Sequence, residues 1–233
     1  MHIAILTLFP EALEPYLATS ILGIARAKGR ARIELIDFRD FARDRHRTVD
    51  DRPFGGGPGM VLKPEPIFDA VEWWEARAGP CRRLLLSPAG RPFVQATARE
   101  LAREDRLLLL CGRYEGVDQR LVDELGFLEI SIGDYVLAGG ELPALVVAEA
   151  VVRLLPGVLG HERSALEESF SEDGRLDTPH FTRPRRWRGR EVPAELLSGD
   201  HGAIARWRSR EMDRRTAERQ DQIGRTEDAP RDG

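Results

Sequence analysis

Three short glycine-containing stretches have the composition of a small-molecule site: SPAG at 87–90, GRYEG at 112–116 and GDYVLAGGE at 133–141. Each follows directly on an apolar run. Glycine lets the backbone approach a ligand closely and turn through positive φ, and the N–H groups exposed there can read an adenine edge or a carboxylate. Neither G-x-G-x-x-G after a strand nor G-x-x-x-x-G-K-[ST] occurs, so the dinucleotide fingerprint and the phosphate-cradling loop are both missing. A cofactor without a polyphosphate suits such a site better. A lone glycine-rich turn usually only turns the chain; three in succession point to a ligand.

Two further regions carry charge in a pattern that suits a nucleic acid. Residues 44–60, DRHRTVDDRPFGGGPGM, set Arg45, His46, Arg47 and Arg52 beside Asp50 and Asp51 and then run into GGGPG. A mobile basic loop of this kind can close on a phosphate-bearing substrate; the plainer reading is an exposed linker. Residues 160–190 place carboxylates at Glu167, Glu168 and Asp177 ahead of Arg183, Arg185, Arg186, Arg188 and Arg190, which surround Trp187. Guanidinium groups meet phosphates and an indole stacks on an unpaired base. A carboxylate next to so basic a run is a candidate general base.

These loops need a scaffold, and the chain supplies the pattern of one. Short β-rich or apolar runs at 3–9, 33–38, 83–86, 107–111 and 127–132 alternate with helix-like segments at 10–28, 66–77, 94–104 and 117–125. A long apolar helix follows from about Leu142 to Leu155, stopped by Pro156-Gly157. Apolar strands with little alternation are buried on both faces, and strands alternating with helices build a parallel sheet. In such a sheet ligands bind outside the carboxyl ends of the strands, where the three glycine loops fall. The expected organisation is an α/β domain over 1–156, an interdomain linker over 157–180, a small helical basic domain over 181–220 and a disordered tail over 221–233.

Net charge is −4 over 233 residues, yet residues 181–220 carry eleven Arg against six acids, a local +5 on an acidic body. Charge alone fits a polyanion partner and a solvated helix surface equally well. No apolar stretch is long enough for a membrane span and no secretion signal is visible, so a cytoplasmic protein without a membrane partner is expected. Cys81 and Cys111 stand alone in their segments, which is neither a disulfide framework nor a zinc pattern. Buried, reduced thiols are expected.

Taken together, the motifs resemble one family, the bacterial tRNA (guanine-N1-)methyltransferases called TrmD, of the SPOUT class. The matching stretches are LFP at 8–10, the 44–60 loop, LSPAGR at 86–91, CGRYEGVDQR at 111–120 and SIGDYVLAGGELPA at 131–144. PGVLGHERSALEESF at 156–170, LDTPHFTRP at 176–184 and EVPAELLSGDH at 191–201 continue the match to about residue 220. The resemblance implies a mostly parallel α/β domain with a deep C-terminal trefoil knot, an exception to the rule against threaded chains. It implies S-adenosylmethionine held in a bent shape by Leu86, Ser87, Pro88, Gly112, Arg113, Tyr114, Glu115, Ile132, Gly133, Asp134, Tyr135, Val136 and Leu137, with Gly139 and Gly140 closing the last loop. It further implies a homodimer whose active sites draw on both chains. The substrate would be tRNA, gripped through His46, Arg47, Asp50, Arg52, Asp177, Arg183, Arg185 and Arg186.

The target implied is N1 of the guanosine immediately 3′ of the anticodon, preceded by another guanosine, a modification that preserves the reading frame. By position, Arg153 would stabilise charge on the guanine O6; as a plain residue it is a helix C-terminal arginine favoured by the dipole. The family's base is an Asp before Ser-Phe, whereas this chain has Glu168 before Ser169-Phe170, a carboxylate with one more methylene of reach. Glu168 is therefore the expected base, with Glu167 and Asp177 in reserve. The C-terminal domain is shorter than in relatives. The resemblance leaves room for Mg²⁺ as an assisting ion, although no metal motif stands in the sequence.

Overall fold

The computed structural model describes residues 1–160, 168–171 and 174–227. The chain forms two compact units, Met1–Gly160 and His161–Gly233, so most of the stretch expected to be a linker belongs to the second unit.

The first unit is a five-stranded parallel sheet covered by helices on both faces. Its strands are β1 (His2–Thr7), β2 (Arg32–Asp37), β5 (Arg82–Pro92), β6 (Arg106–Cys111) and β7 (Leu128–Ser131), in the order β2-β1-β6-β5-β7. The short strands β3 (Asp50–Asp51) and β4 (Val61–Leu62) form a separate antiparallel pair. The helices are α1 (Pro10–Leu17), α2 (Ser20–Ala27), α3 (Pro64–Ala78), α4 (Gln95–Leu101), α5 (Gln119–Leu125) and α6 (Glu141–Val152), with a 3-10 turn at Phe38–Phe41.

The strand residues divide between two cores by parity, as a two-faced sheet requires. Ile3, Ile5, Leu84, Leu86, Leu107 and Leu109 belong to one buried cluster, which also takes Leu13, Leu22, Leu101 and Val147 from α1, α2, α4 and α6. Ala4, Leu6, Leu85, Leu108 and Leu110 belong to the other, with Ile67, Trp74 and Leu121 from α3 and α5. Burying about a dozen Leu and Ile side chains this completely, at roughly 1.5–3 kcal/mol each, fixes the strand ends to which the loops are attached.

Four local features depart from the sequence expectation. The first helix is broken at Ala18-Thr19, where Thr19 is extended (φ −116°, ψ 167°) and its hydroxyl donates to the Tyr16 carbonyl at 2.9 Å. A threonine that bonds local backbone competes with the helix ladder. Strand β5 runs on to Pro92: both Leu86 and Arg91 pair with Ile130, and residues 87–90 loop out between them. The second unit is not purely helical, since β8 (Arg186–Trp187) and β9 (Arg190–Glu191) form an antiparallel hairpin ahead of α7 (Ala194–Leu197) and α8 (His201–Glu227). Its turn residues, Arg188 and Gly189, have φ of 50° and 80°, the positive pair that a tight two-residue hairpin favours. Finally, residues 221–227 are helical rather than disordered: α8 continues through Glu227, and the first proline after it is Pro230.

The second unit has little interior. Among its described residues Thr178 and Trp207 are the buried ones. Phe181 meets Trp207 edge-on at 6.1 Å, and the Leu176 N–H donates to the Thr216 hydroxyl of α8 at 2.9 Å. Among the described residues no helix is long and apolar enough to cross a membrane.

Candidate active site

The carboxyl ends of β5, β6 and β7 meet around a cavity of about 470 Å³, a size that suits a nucleoside-sized ligand. Its wall contains Leu86, Ser87, Pro88, Gly112, Arg113, Tyr114, Glu115, Ile132, Gly133, Tyr135, Val136, Leu137, Gly139 and Gly140, all expected from the sequence; Asp134 is not part of the wall. Gly116, Gln119 and Pro143 also line it, with Leu85, Ala89, Val117, Val122, Glu129, Ile130, Ser131 and Ala138, and were not singled out. The first lies within a motif already flagged. Gln119 and Pro143, in the first turns of α5 and α6, also fall inside the matching stretches at 111–120 and 131–144, although their residue types alone mark no ligand contact.

The loops hold their shape through one another. The Gly140 N–H donates to the Gly112 carbonyl at 2.8 Å, and Arg113 and Gly139 form an antiparallel bridge. The backbone here leaves no room for a side chain. A Cβ on Gly140 would stand 2.7 Å from the Cys111 Cα and 2.9 Å from the Gly112 nitrogen. Tyr114, with φ of 58°, takes the left-handed conformation that turns the second loop and that costs a non-glycine residue about 1–3 kcal/mol. Such strain persists where the surroundings over-determine it, as at a ligand site.

Behind the cavity lies a buried polar cluster that sequence reading did not single out. Glu141, the first residue of α6, is 7% exposed. Its carboxylate accepts from the Thr7 hydroxyl at 2.9 Å and pairs with the Arg113 guanidinium at 3.0 Å. That guanidinium also lies 4.4 Å over the Phe9 ring. The fully buried Cys111 thiol is pushed well up by its burial, with the Glu141 carboxylate adding to the effect. Cys81 is pushed up as well, by burial and by its hydrogen bond to Glu75. Both cysteines are free and neither is poised as a nucleophile.

The basic 44–60 loop is ordered at its base. The Asp44 carboxylate accepts from the Thr48 hydroxyl at 2.8 Å and from the backbone N–H groups of Thr48 and His46 at 2.9 and 3.0 Å, and the Thr48 bonds hold its pKa below the ordinary range. Arg47 pairs with Asp40. Asp50 lies in β3 opposite Leu62, while His46 and Arg52 are exposed. The far end of the loop is stitched to the second cavity loop: Glu115 N–H to Met60 carbonyl at 2.9 Å, Leu62 N–H to Gly116 carbonyl at 2.9 Å and Asp118 N–H to Leu62 carbonyl at 3.1 Å. Phe54, at the tip, is 98% exposed; its signal was an apolar ring set among charges and glycines.

Arg153 caps the C-terminus of α6. In the second unit, Glu168 opens a turn in which its carbonyl accepts from the Ser171 N–H at 3.2 Å. Within that unit the turn meets the segment carrying Asp177: the Phe170 N–H donates to the Arg175 carbonyl at 2.8 Å and the Asp177 N–H to the Ser169 hydroxyl at 3.0 Å. The Asp177 carboxylate accepts from the Thr178 N–H at 2.6 Å and lies 3.0 Å from His180 Nε2. Glu167 lies outside the described residues. Residues 181–190, with Arg183, Arg185 and Arg186, are exposed throughout, and Arg188 lies 5.1 Å over the half-exposed Trp187 ring. Among the described residues no group of three or more His, Cys, Asp or Glu is placed to hold a metal ion.

Comparison with known proteins fits this geometry. The family model for tRNA (guanine-1)-methyltransferase TrmD matches residues 1–225. Among similar proteins, the tRNA (guanine-N(1)-)-methyltransferase of Geobacillus kaustophilus is 55% identical over 216 residues, covering 93% of this chain and 88% of the relative. That of Rhizobium etli is 51% identical over 215 residues, 92% of this chain and 91% of the relative. That of Moorella thermoacetica is 51% identical over 237 residues, all of this chain and 94% of the relative. The chain is a methyltransferase and belongs to the tRNA (guanine-1)-methyltransferase TrmD family, an α/β family of the SPOUT class.

Proposed function

We propose that this protein transfers a methyl group from S-adenosylmethionine to N1 of the guanosine immediately 3′ of the anticodon in tRNA, where that guanosine follows another guanosine. The modification would preserve the reading frame, in the cytoplasm. The observation that carries the reading is the cavity at the ends of β5, β6 and β7. Its glycine edges admit a ligand against bare backbone and it lacks a polyphosphate cradle, which suits a nucleoside joined to an amino acid. S-adenosylmethionine, when bound, supplies a methyl group already activated by its sulfonium.

What remains for the protein is to place the guanine and remove its N1 proton. Guanine N1 is a poor nucleophile until that proton leaves, and Glu168 is the carboxylate assigned to take it. Arg153 is assigned to the negative charge that then develops toward O6. His46, Arg47, Asp50 and Arg52 in one unit and Asp177, Arg183, Arg185 and Arg186 in the other bind the RNA, with phosphate contacts positioning it. The reading includes a trefoil knot whose loops are the three strand-end loops, and a homodimer in which both chains contribute to each active site. No step is assigned to Mg²⁺, since the described residues offer it no set of ligands.

The test is transfer of labelled methyl from S-adenosylmethionine to an unmodified tRNA transcript with two guanosines at the 3′ boundary of the anticodon. A second transcript replaces the target guanosine. Label in 1-methylguanosine that vanishes with the replacement is the expected result. Label in a different nucleoside would keep the methyltransferase and overturn the assigned target.

A further inference from the structure

Glu141 is a buried carboxylate that neither the deprotonation of guanine nor the direct lining of the cavity uses. Its environment is nonetheless fully built. One carboxylate oxygen accepts from the Thr7 hydroxyl on β1 at 2.9 Å, and the other receives the Arg113 guanidinium from the second cavity loop at 3.0 Å. The position itself, at the first turn of α6, favours a negative charge. The third loop closes on the same pair, since the place of a Gly139 side chain is filled by Arg113 Nε and Glu141 Oε2, 2.3 and 2.4 Å from where its Cβ would lie. The same guanidinium lies 4.4 Å over the Phe9 ring.

The structure assigns Glu141 the role of a positioning residue for cofactor binding: through Arg113 it clamps the loop ending at Gly140 to the loop beginning at Gly112, and so sets the width of the cavity before the ligand arrives. The inference rests on the reading of this cavity as the S-adenosylmethionine site. Three elements that are distant in sequence, β1, the β6 loop and the start of α6, are joined at one carboxylate. An isolated surface ion pair would contribute little, but breaking a buried pair leaves an uncompensated charge beside the cavity wall. Loss of the clamp therefore acts first on the shape of the site.

The experiment measures S-adenosylmethionine binding by calorimetry, and thermal unfolding in parallel, for the wild type, Glu141→Gln, Thr7→Val, Arg113→Gln and the Glu141→Gln/Arg113→Gln double variant. Glu141→Gln is expected to raise Kd about tenfold or more, with KM for S-adenosylmethionine rising in step and kcat changing much less. Thr7→Val, which removes one hydroxyl bond and keeps the shape, is expected to raise Kd about two- to fivefold. The double variant is expected to bind no more weakly than Arg113→Gln alone, because the two residues act as one unit. Wild-type affinity in folded Glu141→Gln overturns the assignment, as does a double variant whose losses multiply. Should Glu141→Gln fail to fold, unchanged affinity in Thr7→Val overturns it instead. A folded wild type that does not bind S-adenosylmethionine rejects the underlying reading of the cavity, a result distinct from the others.

Discussion

Arg113 and Arg186 are both assigned to ligand contact, and their surroundings differ in every respect. Arg113 is three-quarters buried, paired with the buried Glu141 and packed over Phe9. Arg186 lies in a two-residue strand within a wholly exposed segment. The contrast extends to the units that carry them. Met1–Gly160 has two cores and a cavity whose walls are fixed by backbone bonds. The second unit has few buried residues and a long helix whose Arg214 pairs with Glu211 and Glu218 on its own surface. A small cofactor must find its contacts already in place, since each immobilised group otherwise costs binding energy. A polyanion is drawn by charge over a distance and tolerates mobile side chains.

That contrast can be tested at three strengths. Glu168→Gln should lower turnover by about 100-fold or more, the usual scale for a lost general base, while cofactor affinity stays at the wild-type level. Methyl transfer under single-turnover conditions, with calorimetry beside it, checks both halves; full activity would remove Glu168 from the role and divide the units differently. Gly140→Ala should weaken cofactor binding and destabilise the first unit by about 1–3 kcal/mol, because the added Cβ meets backbone that cannot yield. Urea unfolding with and without cofactor reads this, and an unchanged midpoint would mean that the loop crossing is looser than the geometry requires. Replacing Arg183, Arg185 and Arg186 together by Gln should leave cofactor affinity untouched. It should also reduce the salt slope of tRNA binding by about 2–3. A slope equal to the wild type would mean that these arginines face no phosphates.

The same contrast decides how much could be read from the sequence. The sheet was legible because runs such as LLLLC at 107–111 are apolar without alternation, and because Gly112, Gly133 and Gly140 punctuate their ends. Just over half of the cavity wall is among the residues that the family resemblance implied. What stayed hidden depends on contacts between distant residues. Nothing in GGE announces that Glu141 will be buried against Thr7, 134 positions away. The continuation of β5 past its loop depends on Ile130 pairing twice. In the second unit, the arginine-rich run at 183–190 concealed a hairpin, since a two-residue turn at Arg188-Gly189 has no hydrophobic alternation to mark it. Polarity suggests disorder from residue 221 on, yet polarity alone does not end a helix, and α8 runs on through Glu227.

The stitch between residues 60–62 and 115–118 has a consequence for chain entropy. A loop from Asp44 to Met60 that was free at both ends would lose its freedom along the whole span on meeting RNA. Here the β3–β4 ladder and the Val49–Lys63 bond already close the span at its neck, and the Asp44 cap holds the stretch before it. The segment left to be ordered is the tip around Phe54 and the glycines. On the reading proposed for this loop, much of the ordering cost is therefore met during folding, and binding of RNA has only the remainder to overcome.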